Sequence, residues 1–127
     1  MRGDVTEHLL ELEAQGVIEK VEKHTSHWLS PTVAVRKRNG KLCMCLDLTG
    51  VNMAVVANGH PIPDMQEMLD HLQGASVMSC LDMKSDYHQL ELHESSRDLT
   101  AFTSMHEGQM WRYRRCPFGL KSLPQCF

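Results

Sequence analysis

Two apolar segments joined through Asn39-Gly40 constrain the fold of this chain more strongly than any other feature. Residues 32–36 and 42–47 have the composition of β-strands. An Asn-Gly pair between such segments favours a two-residue turn with positive φ, which connects antiparallel neighbours. We therefore predict a β-hairpin. Its tip is basic and carries Arg36, Lys37, Arg38 and Lys41.

The remaining chain mixes helical and strand patterns. Val5, Leu9 and Leu12 recur at helical spacing before Gly16, which predicts an amphipathic helix over 4–15. A second helix is predicted over 64–73, with its methionines and leucines packed in the core. Further strands are predicted at 77–82, 89–92, 100–103 and 109–116. A short helical turn is predicted over 85–88, and a surface turn or helical turn over 94–98. The predicted fold class is therefore α+β, with antiparallel strands and packed helices.

The composition is that of one globular domain, with 127 residues, 42% hydrophobic and 23% charged. The net charge of −3 argues against nucleic acid, because phosphate binding needs local cation density. Basic residues nevertheless gather in two segments, the hairpin tip and a second one carrying Arg112, Arg114 and Arg115. If the fold brings both to one cleft, they form a phosphate track; otherwise each is a solvated face.

Cysteine usage and hydropathy indicate an intracellular protein. The five cysteines are an odd number without paired spacing, which is typical of reduced thiols. A zinc site using Cys43 and Cys45 with His24 and His27 remains a weaker alternative. No apolar run approaches the roughly 20 residues that span a bilayer, so no membrane partner is expected.

Asp82 closes the apolar segment 77–81, which we predict as a buried strand. Burying a carboxylate without a partner would cost several kcal/mol, so Asp82 needs a cation or a hydrogen-bond donor. Asp86 and Tyr87 follow about one turn later. This arrangement predicts a pocket that holds a divalent cation.

An ordered series of short motifs extends from about residue 16 to the end of the chain. It comprises Gly16-Val17-Ile18-Glu19, Ser30-Pro31, residues 35–41, Asp47, Asn52, His60-Pro61-Ile62-Pro63, Leu81-Asp82, Tyr87-His88-Gln89, Leu99-Thr100-Ala101-Phe102 and Pro117-Phe118-Gly119-Leu120. This series resembles the reverse transcriptase of gypsy-type long-terminal-repeat retrotransposons. The resemblance implies one partial domain, with fingers and the entry to the palm over about 1–76 and a truncated palm over about 77–127.

The resemblance also implies an activity, the templated transfer of nucleotides to a primer 3′-hydroxyl. Its implied partners are an RNA or DNA template, a primer, dNTPs and the remainder of a Pol polyprotein, in the cytoplasm or a virus-like particle. Asp82 matches the catalytic aspartate that binds two Mg²⁺ ions, with Mn²⁺ as a substitute, and Met83 would add its backbone carbonyl. Oligomeric state is not assigned.

The resemblance further implies a nucleotide pocket. Lys37 matches the fingers lysine that contacts the triphosphate, and Asp86 lines the triphosphate site. Tyr87 matches the aromatic gate that rejects a 2′-hydroxyl. Phe118 lies near nucleotide and template, and Gly119 either allows close backbone approach or serves simple turn chemistry. Nucleic acid would contact Arg36, Arg38, Lys41, Arg112, Arg114 and Arg115.

The chain departs from the family pattern at several points. Cys43 and Thr49 stand where the family has arginines, segment 109–116 is one residue longer, and 123–127 differs around its proline. The Tyr-x-Asp-Asp motif, thumb and ribonuclease H are missing, and the sequence contains no Asp-Asp pair. We therefore expect a fragment that is inactive alone. The alternatives are a non-catalytic nucleic-acid-binding remnant or a domesticated interaction module.

Overall fold

The computed structural model describes residues 2–22, 26, 28–36, 38, 40, 42–56, 59, 61–104 and 108–126, except for the side chains of Arg2, Cys43 and Gln125. The helices are α1 (Arg2–Ala14), α2 (Thr49–Ala54), α3 (Met65–His71) and α4 (Glu94–Arg97). The strands are β1 (Ile18–Val21), β2 (Thr32–Arg36), β3 (Leu42–Leu46), β4 (Phe102–Thr103) and β5 (Met110–Tyr113). Single 3₁₀ turns lie at Asp86–Gln89, Asp98–Thr100 and Leu123–Cys126. Helices and antiparallel sheets in one chain confirm the α+β prediction.

Helix α1 supplies one wall of the core, as its spacing predicts. Val5, Leu9 and Leu12 form one stripe, and all three are buried. They pack with buried residues of the three-stranded sheet, which are Val17, Ile18, Phe102, Trp111 and Tyr113. Since buried apolar area is the main favourable term in folding, this contact anchors the domain.

The larger sheet has the order β1-β5-β4 and is antiparallel throughout. Strand β5 lies at its centre, where Ile18 faces Tyr113 and Phe102 faces Trp111. The sequence patterns predicted β4 and β5 but not β1. Four residues give too short a pattern to identify a strand, and β1 is stabilised by β5, whose paired residues lie 89 to 95 positions away in sequence.

Strands β2 and β3 form the predicted hairpin, with Thr32 opposite Leu46 and Arg36 opposite Leu42. Gly40 has a φ of +79°, a left-handed conformation that glycine adopts without a steric penalty. Lys37, Asn39 and Lys41 lie outside the described residues. The inner side chains of the hairpin are partly buried against the core, namely Ala34, Leu42, Met44 and Leu46.

Helix α2 begins directly after the hairpin and was not predicted. The Asp47 carboxylate accepts hydrogen bonds from the backbone N–H of Thr49 at 3.0 Å and from its hydroxyl at 2.6 Å. These bonds hold the pKa of the Asp47 carboxyl below its ordinary value. Asp followed by Thr two residues later is a local start signal for a helix, and it identifies α2 in retrospect.

The segment from Ile62 to Met83 contradicts two predictions. Helix α3 forms close to the predicted bounds, but its apolar face is exposed, with Met65 at 69% and Leu69 at 52%. Residues 77–82 form no strand, and Leu81 is 95% exposed. A strand needs a hydrogen-bonded neighbour, and no strand in the described part of the chain pairs with 77–82. Without that neighbour, the apolar side chains have no layer to pack against.

None of the described helices combines the length and the apolar character that would let it cross a membrane.

Candidate functional site

Asp82 lies in the exposed, irregular segment that precedes the Asp86–Gln89 turn, so the expectation of a buried carboxylate at a strand end is wrong. Met83 follows it and is 47% exposed. Within the described ranges, no cluster of three or more His, Cys, Asp or Glu side chains could hold a metal ion. These residues therefore do not fit a two-ion centre by themselves, because each ion needs several oxygen ligands.

The turn Asp86–Gln89 carries the residues that the motif Tyr87-His88-Gln89 singled out. Ser85 precedes it in a left-handed conformation with φ of 50° and ψ of 47°. Such a backbone costs about 1 kcal/mol or more in a residue with a Cβ, so the surrounding bonds must hold it. The Gln89 side chain donates to the Lys84 carbonyl at 3.0 Å, which ties the two ends of the turn.

Arg115 holds the other side of this turn. Its guanidinium donates to the carbonyl oxygens of His88 at 3.2 Å and Gln89 at 3.3 Å, and it pairs with Glu91 at 3.3 Å. A bridge between Glu91 and Arg115 also replaces most of the predicted 89–92 strand. In the fold, Arg115 holds the backbone of His88 and Gln89, and its predicted contact with nucleic acid stays a prediction.

Four aromatic rings meet beside this turn, and we call Tyr87, His88, Tyr113 and Phe118 the aromatic cluster. The Phe118 ring centroid lies 5.1 Å from those of both Tyr87 and His88, in edge-to-face geometry. His88 lies 6.4 Å from Tyr113. The structure therefore brings Tyr87 and Phe118 together, although 31 positions separate them in the sequence. Gly119 continues the same turn as Phe118, whereas Asp86 adjoins Tyr87 on the other side.

Burial among these rings lowers the pKa of His88 below its ordinary value, although the nearby Asp86 carboxylate acts in the opposite direction. The imidazole is therefore uncharged at neutral pH. A neutral ring can pack against Phe118 and Tyr113 without the cost of a buried charge. His88 appeared in the motif series without a role, and its place between two aromatic rings could not be read from sequence.

A cavity of about 220 Å³ separates the hairpin from the aromatic cluster. Its lining residues are Met44, Cys45, Leu46, Tyr113, Pro117, Phe118 and Gly119. Most of them are apolar, and the cavity is partly open. A flat aromatic or heterocyclic group fits this kind of surface. Met44 and Leu46 of β3 were not predicted as site residues, and Cys45 was considered only for the zinc alternative, because only the packing of the hairpin brings them here.

The basic residues of the hairpin stand at its outer end. Arg36 forms an ion pair with Asp4 of α1 and donates to the Gly40 carbonyl at 3.4 Å. Arg38 is exposed. Lys37 and Lys41 lie outside the described residues, so the predicted contacts of these two lysines stay predictions.

Two arginines of the second basic segment share one carboxylate with Arg97, whereas Arg115 pairs with Glu91. Glu19 of β1 pairs with Arg112 at 2.6 Å and lies 3.6 Å from Arg114 and 3.8 Å from Arg97. Arg112 also pairs with Asp98 at 2.7 Å, and these bonds raise its pKa. The ion pairs neutralise much of the positive charge that the sequence places here.

The cysteines give no support to a zinc site within the described residues. Cys80, Cys116 and Cys126 are free thiols, and burial raises the pKa of Cys116. His24, His27 and the Cys43 side chain lie outside the described part of the structure. The zinc alternative therefore stays a prediction.

Comparison with known proteins identifies the family. The family model described as reverse transcriptase (RNA-dependent DNA polymerase) matches residues 35–127. The Pol polyprotein of transposon 412 from Drosophila melanogaster is 36% identical over 113 residues, which is 84% of this chain and 9% of that protein. The enzymatic polyprotein of figwort mosaic virus is 38% identical over 106 residues, which is 80% of this chain and 16% of that protein.

A solved structure has the same fold. The foamy viral protease-reverse transcriptase, determined in complex with double-stranded DNA, superposes with a TM-score of 0.72 at 24% identity. The alignment covers 99% of this chain and 20% of that chain. The chain thus spans less than a fifth of the length of either polyprotein relative. This chain belongs to the reverse transcriptase family.

Proposed function

We propose that this chain supplies the fingers and part of the palm of an RNA-directed DNA polymerase, and that its aromatic cluster receives the incoming dNTP. The observation that carries the proposal is the contact between Tyr87 and Phe118 at 5.1 Å, beside the cavity under the hairpin. Two motifs from distant parts of the sequence form one surface that can take a sugar and a base. A gypsy-type retrotransposon origin, a Pol polyprotein context and an intracellular location belong to the same proposal.

The pocket residues divide the nucleotide among them. The edge of the Tyr87 ring would lie under the sugar and exclude a 2′-hydroxyl by overlap. Phe118, which is 54% exposed, offers a face for the base or the template. Lys37 and Asp86 would line the triphosphate site. The uncharged His88 keeps the cluster apolar behind these contacts.

The template and primer would be held by basic side chains. Of the six arginines and lysines assigned to nucleic acid, Arg36 and Arg38 stand at the exposed hairpin tip, and Lys41 belongs to the same tip in sequence. Arg114 is about half exposed, whereas the guanidinium groups of Arg112 and Arg115 are less exposed and are bonded to carboxylates or carbonyl oxygens of the domain. We therefore propose that the hairpin contributes the larger share of the phosphate contacts.

We propose that Mg²⁺, or Mn²⁺ in its place, binds Asp82 and the Met83 carbonyl. Binding would also need carboxylates from outside the described residues, because these form no cluster that could hold a metal ion. These ions would neutralise the triphosphate charge. We propose that the chain is inactive by itself, because one carboxylate cannot organise two cations.

Primer extension by the isolated chain should give no incorporation on an RNA template with Mg²⁺ and all four dNTPs. The product is measured on a sequencing gel, with a complete retroviral reverse transcriptase as the positive control. Asp64→Ala is the matched control, because Asp64 is also an exposed carboxylate and lies at the start of α3. Templated extension that disappears in Asp82→Ala but persists in Asp64→Ala would contradict the proposed inactivity.

Nucleotide titration tests the pocket without requiring catalysis. The chain should bind dCTP more tightly than CTP, by a ratio of about 10 to 100, the range by which pocket shape discriminates one hydroxyl. Tyr87→Ala should abolish this ratio, because the ring that overlaps the 2′-hydroxyl is gone. Tyr87→Phe retains the ring and should preserve it. Equal binding of dCTP and CTP by the unmodified chain would overturn the gate assignment.

A further inference from the structure

Asn52 uses both atoms of its side-chain amide to hold the turn that carries Phe118. Its Nδ2 donates to the carbonyl oxygen of Gly119 at 2.9 Å. Its Oδ1 accepts from the backbone N–H of Lys121, also at 2.9 Å. The two bonds span 67 and 69 residues of sequence and join α2 to the Pro117–Lys121 segment. Donor and acceptor are both matched, so the amide has one orientation that satisfies the turn.

The turn itself needs such a restraint. Gly119 has a φ of +99°, and because a glycine adopts many other backbone conformations as readily, the residue alone does not fix the turn. Phe118 leaves 54% of its surface in solvent, so burial alone does not fix its ring. The centroid of the same ring lies 5.1 Å from the ring centroids of Tyr87 and His88. A side-chain amide that fixes the backbone of the turn therefore also fixes the ring that meets them.

A second bond between the same two segments supports this view. The Ser122 hydroxyl donates to the Val56 carbonyl at 3.2 Å, directly after α2. Asn52 and Ser122 thus connect α2 and Val56 with the part of the turn region from Gly119 to Ser122. The Asn52 bonds are the shorter ones, and they are the ones next to Phe118.

We infer that Asn52 is a positioning residue of the nucleotide pocket, which sets the Phe118 ring against Tyr87 by clamping the backbone at Gly119 and Lys121. This inference rests on the proposed nucleotide site, because the pocket is its functional consequence. Asn52 stood in the motif series without a role. Its two hydrogen bonds give it one that differs from contact with nucleotide.

The test compares Asn52→Asp and Asn52→Ala with Met53→Ala. Met53 is the neighbouring residue on α2 and is 87% exposed, so its truncation is a matched control. Asn52→Ala removes both bonds. Asn52→Asp keeps the acceptor for Lys121 but sets a carboxylate oxygen against the Gly119 carbonyl at neutral pH. When that carboxyl is protonated, with an ordinary pKa of about 4, its O–H can donate to Gly119 again.

Three readouts follow the same samples. NMR reports the ring signals of Phe118 and Tyr87, amide exchange reports the Lys121 N–H, and titration reports dCTP affinity. At neutral pH both Asn52 variants should shift the ring signals and lose about tenfold in dCTP affinity, the effect of one or two net hydrogen bonds. Asn52→Ala should also accelerate Lys121 exchange. On acidification, Asn52→Asp should approach the ring signals of the unmodified chain measured at the same pH, whereas Asn52→Ala should not.

Each alternative outcome has a distinct meaning. Ring signals and dCTP affinity that match the unmodified chain in both variants would overturn the inference. Loss of the Trp111 indole signal in both variants would also overturn it, since Asn52 would then support the core rather than the pocket. Shifted rings in a chain that binds no dCTP even when unmodified would support the positioning role and overturn the proposed nucleotide function.

Discussion

Replacing Phe102 by alanine should destabilise the domain by about 3–5 kcal/mol, the range observed for large aromatic truncations in cores. Phe102 has no exposed surface and lies between α1 and the sheet. Its ring centroid is 5.7 Å from that of Tyr113. Small domains are stable by only about 5–15 kcal/mol, so a loss of this size removes a large share of the free energy of unfolding. Urea denaturation followed by far-ultraviolet circular dichroism measures the change.

Phe118→Ala is the matched control for this prediction. It removes the same side chain from a ring that is 54% exposed, so less apolar area returns to water on mutation. Its denaturation midpoint should fall much less than that of Phe102→Ala. Equal midpoints for the two variants would show that the core does not lie where the structure places it.

The Phe102 prediction matters for function because the rings form a continuous series. Phe102 contacts Tyr113, Tyr113 contacts His88, and His88 contacts Phe118. The outer rings therefore rest on a fully buried one. The pocket is positioned by the core, and damage at Phe102 should reach Tyr87 without any direct contact between the two.

Local signals made part of this fold predictable. The hairpin depends on Asn39-Gly40 and its flanking strands, and α1 depends on the spacing of its own apolar residues. Both signals lie within one element. Strand β1 could not be predicted in this way, because a four-residue pattern is weak and its stability comes from β5. The strand predicted over 77–82 was wrong, because a strand-like composition does not form a strand without a paired neighbour.

The candidate site likewise combines features that the sequence predicted with features that depend on contacts between distant residues. The motif resemblance assigned Tyr87 and Phe118 to one pocket, and the structure places their rings in contact. No periodicity or composition would have joined them. Asn52 and His88 were visible as motif residues, but their roles depend on a turn and two rings that only the folded chain assembles. Asp82 was singled out because it follows an apolar segment, and the resemblance gave it a catalytic role. Those apolar neighbours predicted burial, whereas the residue is exposed.

Replacing Glu19 by glutamine should weaken the sheet and strengthen binding to nucleic acid at the same time. Glu19 is the shared counter-ion of Arg97, Arg112 and Arg114, within 3.8 Å of all three. Its side chain is 28% exposed and that of Arg112 is 22% exposed, so solvent screens these pairs only in part. We expect a loss of about 1–2 kcal/mol, between the values for surface and fully buried pairs.

The effect on nucleic-acid binding arises because Glu19→Gln removes the counter-ion that these arginines share. Arg112 retains Asp98, but Arg114 has only the Glu19 pair among the ion pairs described, and it is 47% exposed. A freed arginine can contact phosphate, and each added contact steepens the dependence of log affinity on log salt by about 0.9. Fluorescence anisotropy with a labelled primer-template duplex measures this dependence. For Glu19→Gln, the plot of log affinity against log salt should steepen by about 0.9 to 1.8, which corresponds to one or two added phosphate contacts.

Glu67→Gln separates this effect from a simple change in net charge. Glu67 is exposed on α3, and its substitution removes the same unit of negative charge. It should raise affinity slightly at low salt through the weaker overall repulsion, without a new phosphate contact. If Glu19→Gln and Glu67→Gln give the same slope, the arginines around Glu19 serve the sheet alone. A steeper slope for Glu19→Gln would instead show that Arg114, directly after β5, can contact phosphate once the Glu19 carboxylate no longer neutralises it.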